Sequence, residues 1–443
     1  MYKLLITEKK NFDLDKFFDD YLESPNIFKD RNALDSSHIP ENLPHRYEQI
    51  KAIAEITVVT LRNGIPSNLF IYGKTGTGKT AVIKHISKKL TNKCKRINNM
   101  ACPNWIYINS NRVKSGYRVL ATICNRLNPD DPVPPTGLPR DVLLDKLVNR
   151  LDENYGNSIC FVVLDEIDCL RSKKSKDSIL YLLSRINEIL KKSKVILVGI
   201  SNTLNFKDDL DPRVKSSLCE EELVFPAYKA DEIYDILKER TKIALHEDIV
   251  TEGALRLISA FAARENGDAR RALALLRKSA EFVERRNLKK LDVNLIYEAQ
   301  DQLDSDKIVH FIRDLPIQQK MILIAVYLNQ KFDPENSTNT GEIYNTYKEL
   351  VKQSYNLNCL TRRRMTDLIK ELDLAGIFES KVVSFGRKGG RTRVVDLIIE
   401  DAQIIKSFED DSYWSELLQY IPSSVRRTDL NVYDGNLYRR LFE

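Results

Sequence analysis

The sequence predicts an α/β base built on a mainly parallel sheet, followed by an all-helical unit and a C-terminal α+β unit. Three observations carry this. Short apolar runs at 68–72, 105–109, 159–164 and 195–200 alternate with helical stretches at 79–90, 116–127, 140–153 and 177–192, the pattern of a sheet covered on both faces. From Ala227 to about Gln302 the strands stop, and segments 229–245, 251–265, 268–286 and 292–302 carry 3.6-residue apolar faces. Beyond residue 304 come three helices, then two strand-like runs around a glycine-rich turn.

The elements follow in order. Residues 1–25 read as a mobile arm with some helical content, and 45–62 as a helix with Ile50, Ile53, Ala54, Ile56, Thr57 and Leu61 at helical spacing. The strand at 68–72 leads into Gly73-Lys74-Thr75-Gly76-Thr77-Gly78-Lys79-Thr80 and then into a helix beginning with Ala81. That octet matches the phosphate-loop pattern in full and in its strand–loop–helix context. Glycines let the loop wrap a phosphate chain, the helix start adds N–H donors and a positive dipole end, Lys79 reaches outer phosphates, and the Thr80 hydroxyl suits Mg²⁺.

Phe161-Val162-Val163-Leu164 is an apolar strand ending in Asp165 and Glu166, expected beside the phosphate-loop strand. Asp165 would orient Mg²⁺ and Glu166 would polarise a water; a plain helix N-cap is the competing reading. Asp168 reads as a cap or surface residue, and the run 171–176 as a solvated loop. The strand 195–200 ends near Asn202, a candidate phosphate or water contact. Asp211-Pro212 opens a turn into a helix carrying Arg213, which could reach a neighbour's nucleotide. Gly267-Asp268 reads as a helix stop and N-cap, leaving Arg270 in the first turn of a helix. A cation there opposes the helix dipole, so a phosphate is its natural partner.

The C-terminal unit reads as a helix at 341–355, a turn, and a second helix at 361–375 with Met365, Leu368, Ile369 and Leu372 on one face. Arg362, Arg363 and Arg364 occupy its first turn, again against the dipole. Strands at 377–385 and 392–399 flank a basic tip with Arg387, Lys388 and Arg391. Two basic clusters on one small unit suit nucleic-acid backbone and base edges; a solvated charge run on a protein-interaction unit is the alternative.

Composition bounds the rest. At 443 residues, 42% hydrophobic and 30% charged, the chain needs more than one core. A net charge of +6 is mildly basic. Seven scattered cysteines without a C-x-x-C pair argue against a zinc site or a disulfide framework and fit a reducing cytoplasm. No apolar stretch approaches eighteen residues and no leader pattern opens the chain, so neither secretion nor a membrane partner is expected.

In this order the phosphate loop, the Asp-Glu strand, Asn202, Arg213 and Arg270 resemble Walker A, Walker B, sensor 1, arginine finger and sensor 2 of AAA+ ATPases. Ile27-Phe28-Lys29-Asp30-Arg31, Leu43-Pro44-His45-Arg46 and Asp211-Pro212-Arg213-Val214-Lys215-Ser216-Ser217-Leu218 narrow this. They resemble the archaeal replication initiators related to the origin recognition complex and the cell-division-cycle helicase loader. The resemblance covers about residues 25–400. It implies an α/β AAA+ P-loop base at 1–226 with its N-terminal arm, an α-helical lid at 227–303 and a winged-helix DNA-binding domain at 304–400. It assigns nothing to 401–443, read as an extension with one helix at 410–420 and a polar tail.

The resemblance also implies ATP or ADP with Mg²⁺, Phe28, Arg31, His45 and Arg46 near the adenine, and Tyr228 on the lid side of the base. It implies an insertion touching the DNA minor groove, carried here onto Thr136, Gly137 and Arg140. The implied function is an ATP-binding replication initiator, a slow ATPase that binds double-stranded origin DNA and recruits the replicative helicase. Paralogous initiator subunits would be partners, in the cytoplasm at the nucleoid. A nucleotide-locked origin-binding or repressor module without significant turnover, and a signal-transduction ATPase regulating transcription, are the rival readings.

Overall fold

The computed structural model describes residues 14–15, 18–19, 26–97, 102–154, 158–170, 173–218, 220–332, 338–354, 357–384 and 391–423. The expectations for most of the arm, for Arg387 and Lys388, and for the final polar tail lie outside them. The chain divides into two compact units, Met1–Ala299 and Gln300–Glu443.

In the first unit, α1 (Tyr47–Thr57) precedes β1 (Leu69–Tyr72), α2 (Lys79–Cys94), β2 (Asn104–Asn109), α3 (Gly116–Leu127), α4 (Arg140–Asn154) and β3 (Ile159–Asp165). Then come α5 (Lys173–Arg185), β4 (Lys194–Ser201), α6 (Pro212–Leu218) and β5 (Glu221–Val224). The strands form one parallel sheet in the order β2-β3-β4-β1-β5. Ile53, Val82, Ile83 and Ile86 of α1 and α2 pack on one face with Leu69, Ile71, Val163 and Ile196. Residues of α3 to α6 pack on the other with Phe70, Val162, Leu164 and Leu197. Covered on both faces, β3 and β4 are apolar along nearly their whole length.

Three expectations need correction. The Asp-Glu strand β3 is not beside β1; β4 lies between them. The registers Tyr72↔Ser201 and Asn109↔Asp165 still bring all these strand ends to one edge of the sheet. Second, α5 starts at Lys173, so 173–176 is helix rather than loop, and it stops at Arg185 instead of continuing to 192. The cause lies in two side chains. The chain tightens into a 3₁₀ turn at Ile186–Glu188, where the Asn187 amide pairs with both backbone groups of Val195 (2.7 and 2.8 Å). Asp152 accepts from the N–H groups of Lys191, Lys192 and Ser193, fixing a turn. Third, β5 is a strand the apolar runs do not predict: Glu-Glu-Leu-Val is short, exposed and charged, and its edge position explains why it shows no apolar alternation.

Helices α7 (Ala230–Ala244), α8 (Glu252–Arg264) and α9 (Ala269–Arg285) follow, and α10 (Val293–Asp314) runs through the boundary expected at 303–304. The N-terminal segment packs on these helices: Lys29 and Asp30 donate backbone N–H bonds to Ala244, His246 donates to Ile27, and the Arg240 guanidinium holds the carbonyls of Ala33 and His38.

The second unit contains α11 (Ile317–Phe332), β6 (Thr338–Asn339), α12 (Thr340–Gln353), α13 (Arg362–Leu374), β7 (Phe378–Ser384) and β8 (Arg391–Leu397), with antiparallel sheet order β6-β8-β7. Of the stretch read above as an extension with one helix at 410–420, the described part, 401–423, holds two helices, α14 (Asp401–Phe408) and α15 (Ser412–Leu417). Ile404, Phe408, Trp414, Leu417 and Leu418 are buried in the same core as Met321, Tyr347 and Ile369. The Arg313 guanidinium donates to the Lys406 carbonyl at 2.8 Å.

Candidate functional site

The loop from Gly73 to Gly78 joins β1 to α2. Gly76 and Gly78 have φ of +70° and +86°, backbone that L-residues rarely adopt. Among the described residues, the backbone N–H groups of Thr75 to Ala81 make no hydrogen bond within the chain. They are the unsatisfied donors of a helix start, turned into a concave loop, and that donor set fits a phosphate chain. Lys79 is buried at 5% exposure, and its ammonium donates to the carbonyls of Gly73 and Lys74, both at 2.7 Å.

Burial lowers the Lys79 pKa to about 8 from an ordinary 10.5, against the opposing pull of Asp165. Below pH 8 the native state carries the full penalty of a buried ammonium. Between 8 and 10.5 the unfolded chain binds more proton, so stability rises with pH. We therefore expect the parent to gain stability relative to Lys79→Met across that window, by up to about 3 kcal/mol. Urea unfolding of both proteins without nucleotide at pH 7.5 and 10 checks this; an unchanged difference would mean the ammonium is solvated.

Asp165, 8% exposed at the end of β3, gathers the other groups. Its Oδ2 accepts from Thr80 Oγ1 at 2.8 Å and Tyr107 OH at 3.2 Å, and its Oδ1 from the Glu166 N–H at 3.0 Å. A hydroxyl and a carboxylate at this distance beside the phosphate loop are a fitting donor pair for a hard cation. Burial, then the Asp165 charge, raises the Tyr107 pKa, so its phenol stays a proton donor. Glu166 is half-buried, with a left-handed φ of 53°. Asn202 follows β4; its N–H donates to Asp168 Oδ1 at 3.2 Å, which gives Asp168 a partner across two strand ends.

From the other side comes the start of α9. Asp268 caps it, accepting from the N–H groups of Arg270 and Arg271. The Ala269 N–H donates to the Gly76 carbonyl at 3.3 Å, and Lys74 Nζ to Asn266 Oδ1 at 2.8 Å. The Arg270 charge is close enough to act on Lys79 and Tyr107. Arg46 is 1% exposed: its guanidinium donates to the carbonyls of Thr77 (2.9 Å), His45 and Pro226 (2.7 Å) and lies 3.6 Å over the Tyr228 ring. It thus holds the loop from beneath. His45 Nε2 meets Asp235 Oδ2 at 2.9 Å; Phe28 is buried, with Arg31 over its ring and paired to Glu284. Arg213 stands 77% exposed at the start of α6, bonded to Asp211 at 3.1 and 3.2 Å, away from the Asp165 cluster.

Residues 132–140 join α3 to α4. Their base is anchored, with Asn125 bonded to both backbone groups of Val133 and Tyr117 accepting the Leu138 N–H, while Thr136, Gly137 and Arg140 are exposed. In the second unit, Thr361 caps α13, and Arg362, Arg363 and Arg364 are exposed on its first turn. Arg391 begins β8. Sequence reasoning missed Tyr107, Asn266 and the loop-facing role of Asp268. A Tyr within an apolar strand reads as core, and a capping Asp explains itself locally.

A parallel sheet with a phosphate loop, a strand-end acid pair and a helical lid, followed by a winged helix, defines an AAA+ ATPase with a C-terminal DNA-binding-type domain. The AAA domain family matches residues 65–205, the Cdc6 AAA+ ATPase-type lid domain 234–301, and the CDC6 C-terminal winged helix domain 310–407. An ORC1-type DNA replication protein of Pyrococcus abyssi is 43% identical over 408 residues, covering 92% of this chain and 96% of the relative. ORC1-type DNA replication protein 1 of Methanosarcina acetivorans is 43% identical over 387 residues, 87% and 91% of the two chains. The solved Aeropyrum pernix ORC1 protein in complex with DNA superposes with a TM-score of 0.76 at 38% identity, covering 88% of this chain and 99% of that one. The chain belongs to the ORC1-type DNA replication protein family. No helix among the described residues is long and apolar enough to cross a membrane.

Proposed function

We propose that this protein binds ATP and origin duplex DNA, and that ATP binding and slow hydrolysis switch it between states that do and do not recruit the replicative helicase. The observation that carries the switch is the Ala269 N–H on the Gly76 carbonyl: the lid helix α9 starts on the phosphate loop, so any rearrangement of that loop moves the lid. The N–H groups of 75–81 bind the phosphates, and Lys79 exchanges its loop carbonyls for phosphate oxygens. Thr80 and Asp165 would hold Mg²⁺, which would supply Lewis-acid charge neutralisation. Glu166 polarises the attacking water, Asn202 aligns it, and Arg270 neutralises phosphate charge from the lid. Arg213, at an exposed turn, serves the site of a paralogous subunit in trans.

For DNA, the arginines of α13 and the wing tip with Arg387, Lys388 and Arg391 contact one groove region, and the exposed tip at 136–140 contacts another. A family relative solved on DNA supports this reading. The deciding experiment assays purified full-length protein for bound nucleotide and for turnover with and without origin duplex. Exchangeable nucleotide and DNA-responsive turnover are expected. ADP that neither exchanges nor turns over would favour the nucleotide-locked module instead.

A further inference from the structure

Between Ile56 and Pro129 the sequence contains no aspartate or glutamate and thirteen lysines and arginines. At the chain's mean density of acids, such a stretch would hold about ten. Thirteen positive charges here, against a whole-chain net of +6, leave the remaining residues at −7. The nucleotide site explains Lys74 and Lys79, and Lys84 lies over the Tyr107 ring. It does not explain Lys88, Lys89 and Lys93 on α2, or Lys95 and Arg96 in the turn after it, all of them exposed. None of the five forms an ion pair with another described residue.

This spacing disfavours the helix. Lys84 with Lys88, and Lys89 with Lys93, are like charges at i,i+4, which repel. Elsewhere the same chain balances such positions: Arg256 pairs with Glu252 on α8 and Arg277 with Glu281 on α9. The helix dipole accounts for a cation in the last turn, such as Lys93, but not for Lys88 and Lys89 further back. From Lys88 to Arg96 the row spans about 12 Å, several phosphates along one strand. Lysines, as flexible point charges, suit phosphates rather than base edges.

Resting on the DNA-binding reading above, we infer that the outer face of α2 is a third, backbone-binding surface for duplex DNA, beside the winged helix and the 136–140 tip. Its position sets the geometry. Helix α2 covers one face of the sheet, while the 132–140 tip hangs from α3 and α4 on the other. A short straight duplex lying on the tip cannot also lie on α2. The α2 lysines therefore engage a further segment of a longer or curved duplex.

The test uses full-length protein with Lys88→Gln, Lys89→Gln and Lys93→Gln combined, titrated at several salt concentrations with a single-site duplex and one several times longer. On the long duplex the slope of log affinity against log salt should fall by about 0.9 for each phosphate no longer neutralised, with the short duplex and nucleotide affinity unchanged. Arg387→Ala with Lys388→Ala is the reference. If the wing variant weakens binding and the α2 variant matches the parent on both duplexes, this inference fails and the DNA reading stands. If neither weakens binding, both fail. An equal loss of affinity on short and long duplexes overturns the second-segment geometry. In the unmodified protein, long duplex should protect Lys88, Lys89 and Lys93 from an amine-reactive reagent; protection by an acidic protein but not by DNA overturns the assignment.

Discussion

Glu166→Gln should lose ATP hydrolysis by about 10²- to 10⁴-fold, the usual contribution of a positioned general base, while binding nucleotide within a few-fold of the parent. The separation follows from what each acid touches. Asp165 keeps its bond to Thr80 and its place beside Lys79, so the phosphate cradle survives. Glu166 is held differently: its N–H is fixed on Asp165 Oδ1, and its left-handed backbone turns the half-buried side chain out of the strand. A residue other than glycine in that region signals a constraint worth its strain. The amide is nearly isosteric but cannot take a proton from water. Single-turnover phosphate release and a nucleotide titration measure the two quantities; equal turnover in variant and parent would remove Glu166 from the chemistry.

Gly76→Ala should reduce nucleotide affinity at least tenfold and detach the start of α9. The φ of +70° already strains an alanine, by about 1 kcal/mol or more. The larger effect is steric. A Cβ there would lie 1.7 Å from Asp268 Oδ1 and 2.8 Å from Asp268 Cα. The side chain could rotate away, but the Cα belongs to the lid backbone, so α9 itself must shift. The Arg270 and Arg271 amides, bonded to Asp268 in the parent, should then exchange hydrogen faster. Gly137→Ala is the control: its φ of +106° carries backbone strain, but no atom lies within 4 Å of the added Cβ, and it should leave nucleotide affinity intact. Unchanged affinity and unchanged amide exchange in Gly76→Ala would show that the lid does not depend on this packing.

These residues also show what a sequence can and cannot reveal. Helix α3 is legible to the residue because Ser115 caps it and its apolar face is regular. The phosphate loop is legible because its chemistry is local and contiguous. The position of β4 between β1 and β3 is not, since strand order is a long-range choice that apolar runs do not record. Nor is the end of α5, decided by Asn187 and Asp152 reaching distant backbone. Resemblance marks Arg46 as lying near the adenine; its bonds to the carbonyls of Thr77, His45 and Pro226 are a separate, structural role. No local pattern records that role, because Thr77 and Pro226 lie far along the chain. For Trp414, beyond the second strand, the sequence leaves open whether the chain packs back, binds a partner or hangs as an arm; it packs back and completes the core of its unit.

The Arg46 staple bears on how the chain can be cut. The AAA domain match begins at residue 65, and a fragment designed on that boundary would contain every residue of the phosphate loop. It would lack the guanidinium that satisfies the Thr77 and Pro226 carbonyls, and the 27–38 segment whose backbone is laced to α7. Such a truncation keeps the signature while removing its scaffold. A fragment that keeps the phosphate loop on its scaffold must therefore include Ile27, whose carbonyl accepts from the His246 N–H, about twenty residues before the staple and well outside the recognisable motif.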